Sequence, residues 1–247
     1  QSIRISGGTP VLAKDKNFTA SLENIQEKIT KKTKIIFLAN PNNPTGTMVS
    51  EEEIRSFFKD IRSDILVVLD SAYAEYVDNK DYTDGSKFVE EFDNIIMLRT
   101  FSKLHALASL RLGWAYCPIK VANILKSIRP AFSVNALASF AGIAAVEDIK
   151  FQELSFAHNK KYKHWIFKKL ESHQIDFIPS ETNFFLLNFK SEELASDALE
   201  FLEKNNIFVR GMRPYNLNSY LRITIGEEKE MENFLDCLLE FLGNAKK

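Results

Sequence analysis

The chain has 247 residues, of which 45% are hydrophobic and 26% charged, the composition of an ordinary globular protein. Its formal net charge is -1, so neither a nucleic acid nor a membrane surface is expected as a partner, because both require a concentrated basic surface. No stretch reaches the roughly 20 apolar residues of a membrane span, and the first residues lack a signal-peptide pattern. Small-molecule chemistry in the cytoplasm is the expectation.

The first half of the chain alternates strand and helix patterns, which implies right-handed crossovers and a mainly parallel sheet. The first strand is a nearly continuous apolar run, which favours burial on both faces. A helix at residues 19–29 has Thr19 or Ser21 as candidate N-caps. Further helices are predicted at residues 50–62 and 120–128, and strands at residues 34–39, 65–69, 95–98 and 111–117.

The second half predicts a smaller α/β unit after a boundary near residue 146. The domains are therefore predicted as residues 1–145 and 146–247. A stretch of small helix formers at residues 135–148 precedes a long helix. The predicted elements are helices at residues 151–173, 192–204 and 229–242, and strands at residues 184–189, 207–210 and 221–225.

The long helix at residues 151–173 carries a basic run. Its spacing predicts that it buries Leu154, Tyr162, Trp165, Ile166 and Leu170 while Lys160, Lys161, Lys163, Lys168 and Lys169 face water. A solvated face is favoured over nucleic-acid binding, given the balanced charge. The two cysteines, Cys117 and Cys237, lie in apolar stretches and are expected to be small buried hydrophobes, and no metal site is predicted.

Polar residues follow three of the predicted strands. Asn43 comes after the first strand, Asp70 after the second and Lys103 after the third. In parallel sheets, ligands collect at the carboxyl ends of the strands. These three side chains are therefore predicted to converge on one site.

Each of these residues also has an ordinary explanation. Lys103 alone is more commonly an exposed lysine, although a buried lysine amine can attack a carbonyl. Asp70 and Asn43 suit turns, but a carboxylate at a strand end can also hold a proton on a pyridine nitrogen. Tyr73 suits packing. Arg111 suits an ion pair or a bidentate contact with a phosphate.

Taken together, these residues resemble a known family. The segments Asn43-Pro44-Thr45-Gly46, Asp70-Ser71-Ala72-Tyr73 and Ser102-Lys103, with Arg111, resemble fold-type I pyridoxal-phosphate aminotransferases of classes I and II. The longer segments 40–47, 99–103 and 221–226 resemble histidinol-phosphate aminotransferases most. The resemblance implies a three-layer α/β fold with a mainly parallel sheet and a smaller C-terminal α/β domain.

The resemblance implies a role for each matching residue. Lys103 would bind pyridoxal 5'-phosphate covalently and shuttle a proton. Asp70 would pair with the pyridine nitrogen, and Asn43 and Tyr73 would bond the 3' oxygen of the ring. The cofactor phosphate would be bound by Thr100, Ser102 and Arg111.

Two further arginines would bind substrate. Arg222 would take a carboxylate, for which a planar guanidinium is the matching geometry. Without the resemblance, Arg222 is equally an exposed ion pair at a strand end. Arg210 and Asn43 complete the substrate-binding residues, with Arg210 placed to contact a substrate phosphate.

The resemblance also implies an activity and an assembly. Transamination between glutamate or 2-oxoglutarate and a phosphorylated amino compound, with histidinol phosphate as the leading candidate, would place the protein in histidine biosynthesis as a homodimer. The alternatives are a decarboxylase of a phosphorylated amino acid and a truncated, catalytically silent paralogue. The second arises because the chain begins at Gln1, and the N-terminal part of the family, with its glycine-containing phosphate loop and ring-stacking aromatic, has no match here.

Overall fold

The computed structural model describes residues 2–244. Residue 1 of the first predicted domain and residues 245–247 of the second lie outside the described residues. The helices are α1 Ser2–Ile5, α2 Leu22–Glu27, α3 Glu51–Lys59, α4 Ser86–Glu91, α5 Ile119–Ile128, α6 Ala136–Glu147, α7 Ile149–Ser172, α8 Glu192–Lys204 and α9 Glu228–Asn244. The strands are β1 Ile35–Ala39, β2 Leu66–Asp70, β3 Ile95–Thr100, β4 Gly113–Tyr116, β5 Phe177–Ile178, β6 Phe184–Asn188, β7 Arg210–Gly211 and β8 Tyr220–Thr224. Short 3-10 turns span Ala74–Tyr76, Ala108–Leu110 and Arg213–Tyr215.

The first sheet has the strand order β1-β2-β3-β4. Strands β1, β2 and β3 run parallel, and β4 pairs antiparallel with β3. Ala39 lies opposite Asp70, and Asp70 lies opposite Leu98, so the carboxyl ends of β1, β2 and β3 lie at one edge. The predicted α/β class with a mainly parallel sheet is confirmed.

One face of β1 packs against α3. Ile36 and Leu38 join the core that includes Phe57 and Phe58 of α3. The opposite face carries Ile35 and Phe37, which are 50% and 59% exposed. The prediction that this strand is buried on both faces was therefore wrong, because no covering layer lies over these side chains in the part of the chain that the structure describes.

Side-chain caps set the starts of the first helices. Ser50 accepts a hydrogen bond from the Glu53 amide and Glu53 bonds back to the Ser50 amide, so α3 begins with a capping box. Ser21, rather than Thr19, caps α2. This helix is shorter than predicted, and α4 was not predicted at all because Gly85 and its polar neighbours indicated only a loop.

The second sheet is antiparallel, with the order β5-β6-β8-β7. Helices α7, α8 and α9 supply its core together with Phe185, Leu187 and Ile223. The strand predicted at residues 207–210 was misplaced. Within residues 207–211, the pairing with β8 is limited to Arg210 and Gly211, which lie opposite Arg222 and Leu221.

Two predictions for α7 were wrong. Leu154 is 60% exposed, since it lies on the first turns of the helix, away from the core formed further along. The Lys163 side chain is only 11% exposed and lies 3.7 Å from Glu181, and burial lowers its pKa. Tyr162, Ile166 and Leu170 are buried as predicted.

The boundary predicted near residue 146 falls at the end of α6 and stays a prediction. Asp148 caps α7 directly afterwards, accepting a hydrogen bond from the Phe151 amide at 3.0 Å.

Cys237 is buried and Cys117 half-buried, both as free thiols. No helix within residues 2–244 combines the length and apolar character needed to cross a membrane.

The two sheets meet where the turn after β1 contacts the segment before β6. The Glu181 amide donates to the Gly46 carbonyl at 2.8 Å. Gly46 has a φ of +77°, and a Cβ there would lie 2.1 Å from Ser180 Oγ. Glycine is therefore required by both the backbone conformation and the space.

We expect Gly46→Ala to lower the free energy of unfolding of the full-length protein by about 1–3 kcal/mol, the usual cost of a strained backbone conformation. The measurement is urea unfolding. Gly243→Ala is the matched control, because among residues 2–244 no atom beyond its own helix and chain neighbours lies within 4 Å of the added Cβ. A Gly46→Ala protein as stable as wild type would contradict the required contact.

Candidate active site

The turn after β1 is held by a buried asparagine. The Asn40 side chain is fully buried, donates to the Val49 carbonyl at 3.0 Å and accepts from the Val49 amide at 2.8 Å. The Gly46 amide donates to the Asn42 carbonyl at 2.7 Å. This arrangement presents Asn43, an exposed residue, at the surface of the turn that follows β1.

Asp70 ends β2 at the same edge. One carboxylate oxygen accepts a hydrogen bond from the Ala72 amide at 3.1 Å. The carboxylate is open to solvent on one side, but the protein atoms crowded around it raise its pKa, while the Ala72 amide and the Lys103 charge act in the opposite direction. The structure thus brings Asp70 and Lys103 close enough for their charges to interact.

Lys103 and Tyr73 lie against each other. Tyr73 is only 5% exposed, and Lys103 Nζ lies 5.0 Å from the centroid of its ring. An ammonium over an aromatic face is a favourable cation–π contact. The loop after β2 and the loop after β3 therefore bring Asp70, Tyr73 and Lys103 together. The predicted convergence of Asn43 with Asp70 and Lys103 stays a prediction.

Thr100, Ser102 and Arg111 form a cluster of donors. The Ser102 amide donates to Thr100 Oγ1 at 3.1 Å. Arg111 Nη1 donates to the Ala108 carbonyl at 2.7 Å and more weakly to Ser102 Oγ at 3.4 Å. Arg111 has a φ of +57°, so its left-handed backbone turns the chain back from the loop into β4. Two hydroxyls beside an exposed guanidinium suit a phosphate.

Arg222 enters the site from the second sheet. Its Nη1 donates to Asn43 Oδ1 at 2.7 Å, and its guanidinium lies 4.6 Å from the centroid of the Phe184 ring. Burial lowers the Arg222 pKa, Tyr73 raises it and the nearby Arg210 charge lowers it. Its Nε is buried and has no hydrogen-bond partner among residues 2–244. A bound anion would offset this cost.

Arg210 lies beside Arg222 on the neighbouring strand. The two residues are direct partners in the pairing of β7 with β8. Arg210 is exposed, and its guanidinium lies 5.9 Å from the centroid of the Tyr215 ring. Two adjacent positive charges make this end of the second sheet attractive to an anion.

The model of the family described as "Aminotransferase class I and II" matches residues 1–238. The chain belongs to this aminotransferase family. A histidinol-phosphate aminotransferase from Paramagnetospirillum magneticum is 43% identical over 239 residues, covering 96% of this chain and 66% of the relative. The chain therefore spans about two thirds of the length of this curated relative.

Solved structures agree with this assignment. The histidinol-phosphate aminotransferase from Sinorhizobium meliloti, in complex with pyridoxal-5'-phosphate, superimposes with a TM-score of 0.89 at 25% identity, over 98% of this chain and 67% of that chain. The L-threonine-O-3-phosphate decarboxylase from Porphyromonas gingivalis gives 0.74 at 24% identity, over 89% and 67%. The second likeness shows the aminotransferase fold alone.

Two aromatic residues of this candidate site were not predicted. Phe184 packs edge-on against Tyr73, with centroids 5.3 Å apart, while Arg222 lies over its ring. Tyr215 lies beside Arg210. In paired strands, side chains at diagonal positions on the same face lie within reach of each other. Phe184 is diagonal to Arg222, because Leu186 lies directly opposite that arginine. The two predicted strands that carry them were thus the available signal for Phe184, once their register is known.

We expect Asp70→Asn to raise the free energy of unfolding of the cofactor-free, full-length protein at pH 7. Burial raises the Asp70 pKa above its ordinary value of 3.8, so the folded protein binds this proton more tightly than the unfolded chain. The charged carboxylate therefore costs stability above the folded pKa, and that cost disappears as the pH falls below 3.8.

The measurement is urea unfolding at neutral and acidic pH. Asn keeps the oxygen that accepts from the Ala72 amide, so the change isolates the charge. The exposed Asp93 supplies the control variant Asp93→Asn. An Asp70→Asn protein less stable than wild type at pH 7 would contradict the sign of the effect.

Proposed function

We propose that the protein is a pyridoxal-phosphate-dependent aminotransferase that moves an amino group between glutamate or 2-oxoglutarate and histidinol phosphate or its keto form. The observation that carries the proposal is the convergence of Lys103, Asp70 and Tyr73 at one sheet edge, with Arg222 facing them from the second sheet. The similarity to histidinol-phosphate aminotransferases supports the choice of substrate.

The residues at this edge fit pyridoxal phosphate. Thr100, Ser102 and Arg111 would hold the phosphate through hydroxyl and guanidinium donors, and Asp70 would face the pyridine nitrogen. When bound, pyridoxal phosphate supplies an aldehyde that condenses with amines and a ring that withdraws electrons from the reacting carbon. The raised Asp70 pKa fits this role, since a positive ring nitrogen would compensate the crowded carboxylate.

Lys103 is proposed to hold the cofactor covalently and to move a proton at its amine nitrogen. Its amine lies over the Tyr73 ring, so the tyrosine limits where the lysine can point. Asn43 and Tyr73 are proposed to orient the 3' oxygen of the ring. Because Asn43 also accepts from Arg222, it would link the cofactor to the substrate carboxylate.

Two arginines are proposed to bind different anionic groups of the substrates. Arg222, whose buried Nε lacks a partner in the part of the chain that the structure describes, would bind the carboxylate of glutamate. Arg210, exposed beside it, would bind the phosphate of histidinol phosphate. The separation of these roles would allow one site to accept both substrates in turn.

The assembly is proposed to be a homodimer, and the cytoplasmic location stays a prediction. Exposed apolar side chains on α5 and α6 support an interface with a second copy of the chain at this surface. Helix α6 is apolar on all sides, yet Leu137 and Phe140 are 74% and 76% exposed, and Ile128 of α5 is 71% exposed. Apolar patches of this kind commonly mark interfaces.

We expect glutamate to convert the cofactor bound to the full-length wild-type protein into its amine form, seen as loss of the visible absorption band. A decarboxylase would leave the band unchanged, and a silent paralogue would show no band. Lys103→Ala is expected to abolish the cofactor linkage that borohydride reduces, because the variant lacks the amine that is proposed to form it. Lys168→Ala, an exposed lysine of α7, is the control, and a reducible cofactor linkage in Lys103→Ala would contradict the assignment.

We expect Arg210→Ala to raise KM for histidinol phosphate about tenfold or more, because a hydrogen bond to a charged group contributes about 1.5–3 kcal/mol. The KM for glutamate should change little. Arg213→Ala is the control, since Arg213 is exposed and pairs with Glu192 at 3.0 Å. Equal effects of the two variants on steady-state kinetics would argue against a phosphate contact by Arg210.

A further inference from the structure

Arg99 lies directly before Thr100, and its side chain joins two loops. Its Nη2 lies 2.9 Å from Glu75 Oε1, its Nε donates to the same oxygen at 3.2 Å, and its Nη1 donates to Asp84 Oδ2 at 2.9 Å. The Arg99 and Glu75 side chains are each only 15% exposed. One guanidinium therefore bridges two carboxylates in a sparsely hydrated place, where charge-assisted bonds are strong.

Both carboxylates belong to the loops that carry Asp70 and Tyr73. Glu75 lies in the short 3-10 turn that follows Tyr73, and the Tyr76 amide donates to the Tyr73 carbonyl at 3.0 Å. The Asp84 backbone carbonyl accepts from Ser71 Oγ at 2.8 Å. Movement of either carboxylate would therefore be transmitted to the Asp70–Tyr73 segment.

The arginine itself belongs to the strand that leads to the other half of the site. Arg99 is followed by Thr100, Ser102 and Lys103, and its guanidinium also lies 5.9 Å from the centroid of the Trp114 ring on β4. Glu75 Oε2 is buried with no hydrogen-bond partner, so Arg99 supplies the hydrogen bonds of this carboxylate within residues 2–244. Without the arginine, two carboxylates would face each other uncompensated.

We propose that Arg99 is a positioning residue for the cofactor: its fork onto Glu75 and Asp84 sets the distance between the Asp70–Tyr73 segment and the Thr100–Lys103 segment. This inference rests on the cofactor site proposed above. Beyond its peptide bond to Thr100, Arg99 acts on the proposed site through Glu75, which follows Tyr73, and through Asp84, whose backbone carbonyl accepts from Ser71 Oγ. Groups that orient the ligands of a metal site typically contribute about 10- to 100-fold in affinity, and a similar scale is expected here.

The chain contains a matched arginine remote from the site. Arg55 on α3 also pairs with two carboxylates, Glu51 and Glu91, and its guanidinium lies 4.8 Å from the centroid of the Phe88 ring. Arg55→Met and Arg99→Met therefore remove the same kinds of contact. Only the second removes contacts that reach the loops of the proposed site.

The test compares both variants in the full-length protein. We expect both to lose stability in urea unfolding, but only Arg99→Met to bind pyridoxal phosphate about tenfold or more weakly. At saturating cofactor, Arg99→Met should also show a weaker visible circular dichroism band for each bound cofactor, because the ring is held less firmly. This signal reports cofactor orientation and does not depend on turnover.

Cofactor affinity and dichroism of Arg99→Met within twofold of wild type would overturn the proposal. So would an equal loss of both in Arg55→Met, which would indicate general destabilisation. If Arg99→Met does not fold, the pair Glu75→Gln with Asp84→Asn is compared with Glu51→Gln with Glu91→Gln, and the same outcomes decide. Failure of the wild-type protein to bind pyridoxal phosphate would instead reject the proposed function.

Discussion

The parallel pairing of β1, β2 and β3 is the constraint on which the rest of the structure depends. The pairing continues past the strands, since the Asn40 amide donates to the Asp70 carbonyl and the Ser71 amide to the Leu98 carbonyl, each at 3.0 Å. The three following loops therefore start at the same level. Parallel strands offer their carboxyl ends to a ligand in this way, and the turn carrying Asn43 and the loops carrying Tyr73 and Lys103 all lie there.

The second sheet joins the site through an aromatic contact and a hydrogen bond. Phe184 packs against Tyr73, which follows β2, and supports the guanidinium of Arg222, whose Nη1 donates to Asn43 Oδ1. The arginine is partly desolvated and, within the described residues 2–244, keeps one donor without a partner, a cost that binding sites tolerate when a ligand removes it. The energetic cost of this unpaired donor and the proposed affinity for a carboxylate thus have the same physical origin.

Local sequence signals predicted most elements correctly. Apolar runs located β2 and β3, and Ser50 with Glu53 located the start of α3, because strand burial and capping depend on neighbouring residues. The sequence predicted less well the features that depend on residues distant in the chain. Strand β7 was misplaced because its extent is set by pairing with β8, and Lys163 was expected in water because its partner Glu181 is brought to it only by the fold.

The sequence by itself determined the family and the order of the strand-end residues, since Asn43, Asp70 and Lys103 each follow an apolar run of strand length. Only the tertiary structure decided how the second sheet joins them. Arg222 and Asn43 are 179 positions apart in the chain and bond directly, and Arg99 reaches Glu75 and Asp84 across two loops. Such contacts depend on how the loops and the two sheets pack, and no periodicity or turn preference within one segment encodes that packing.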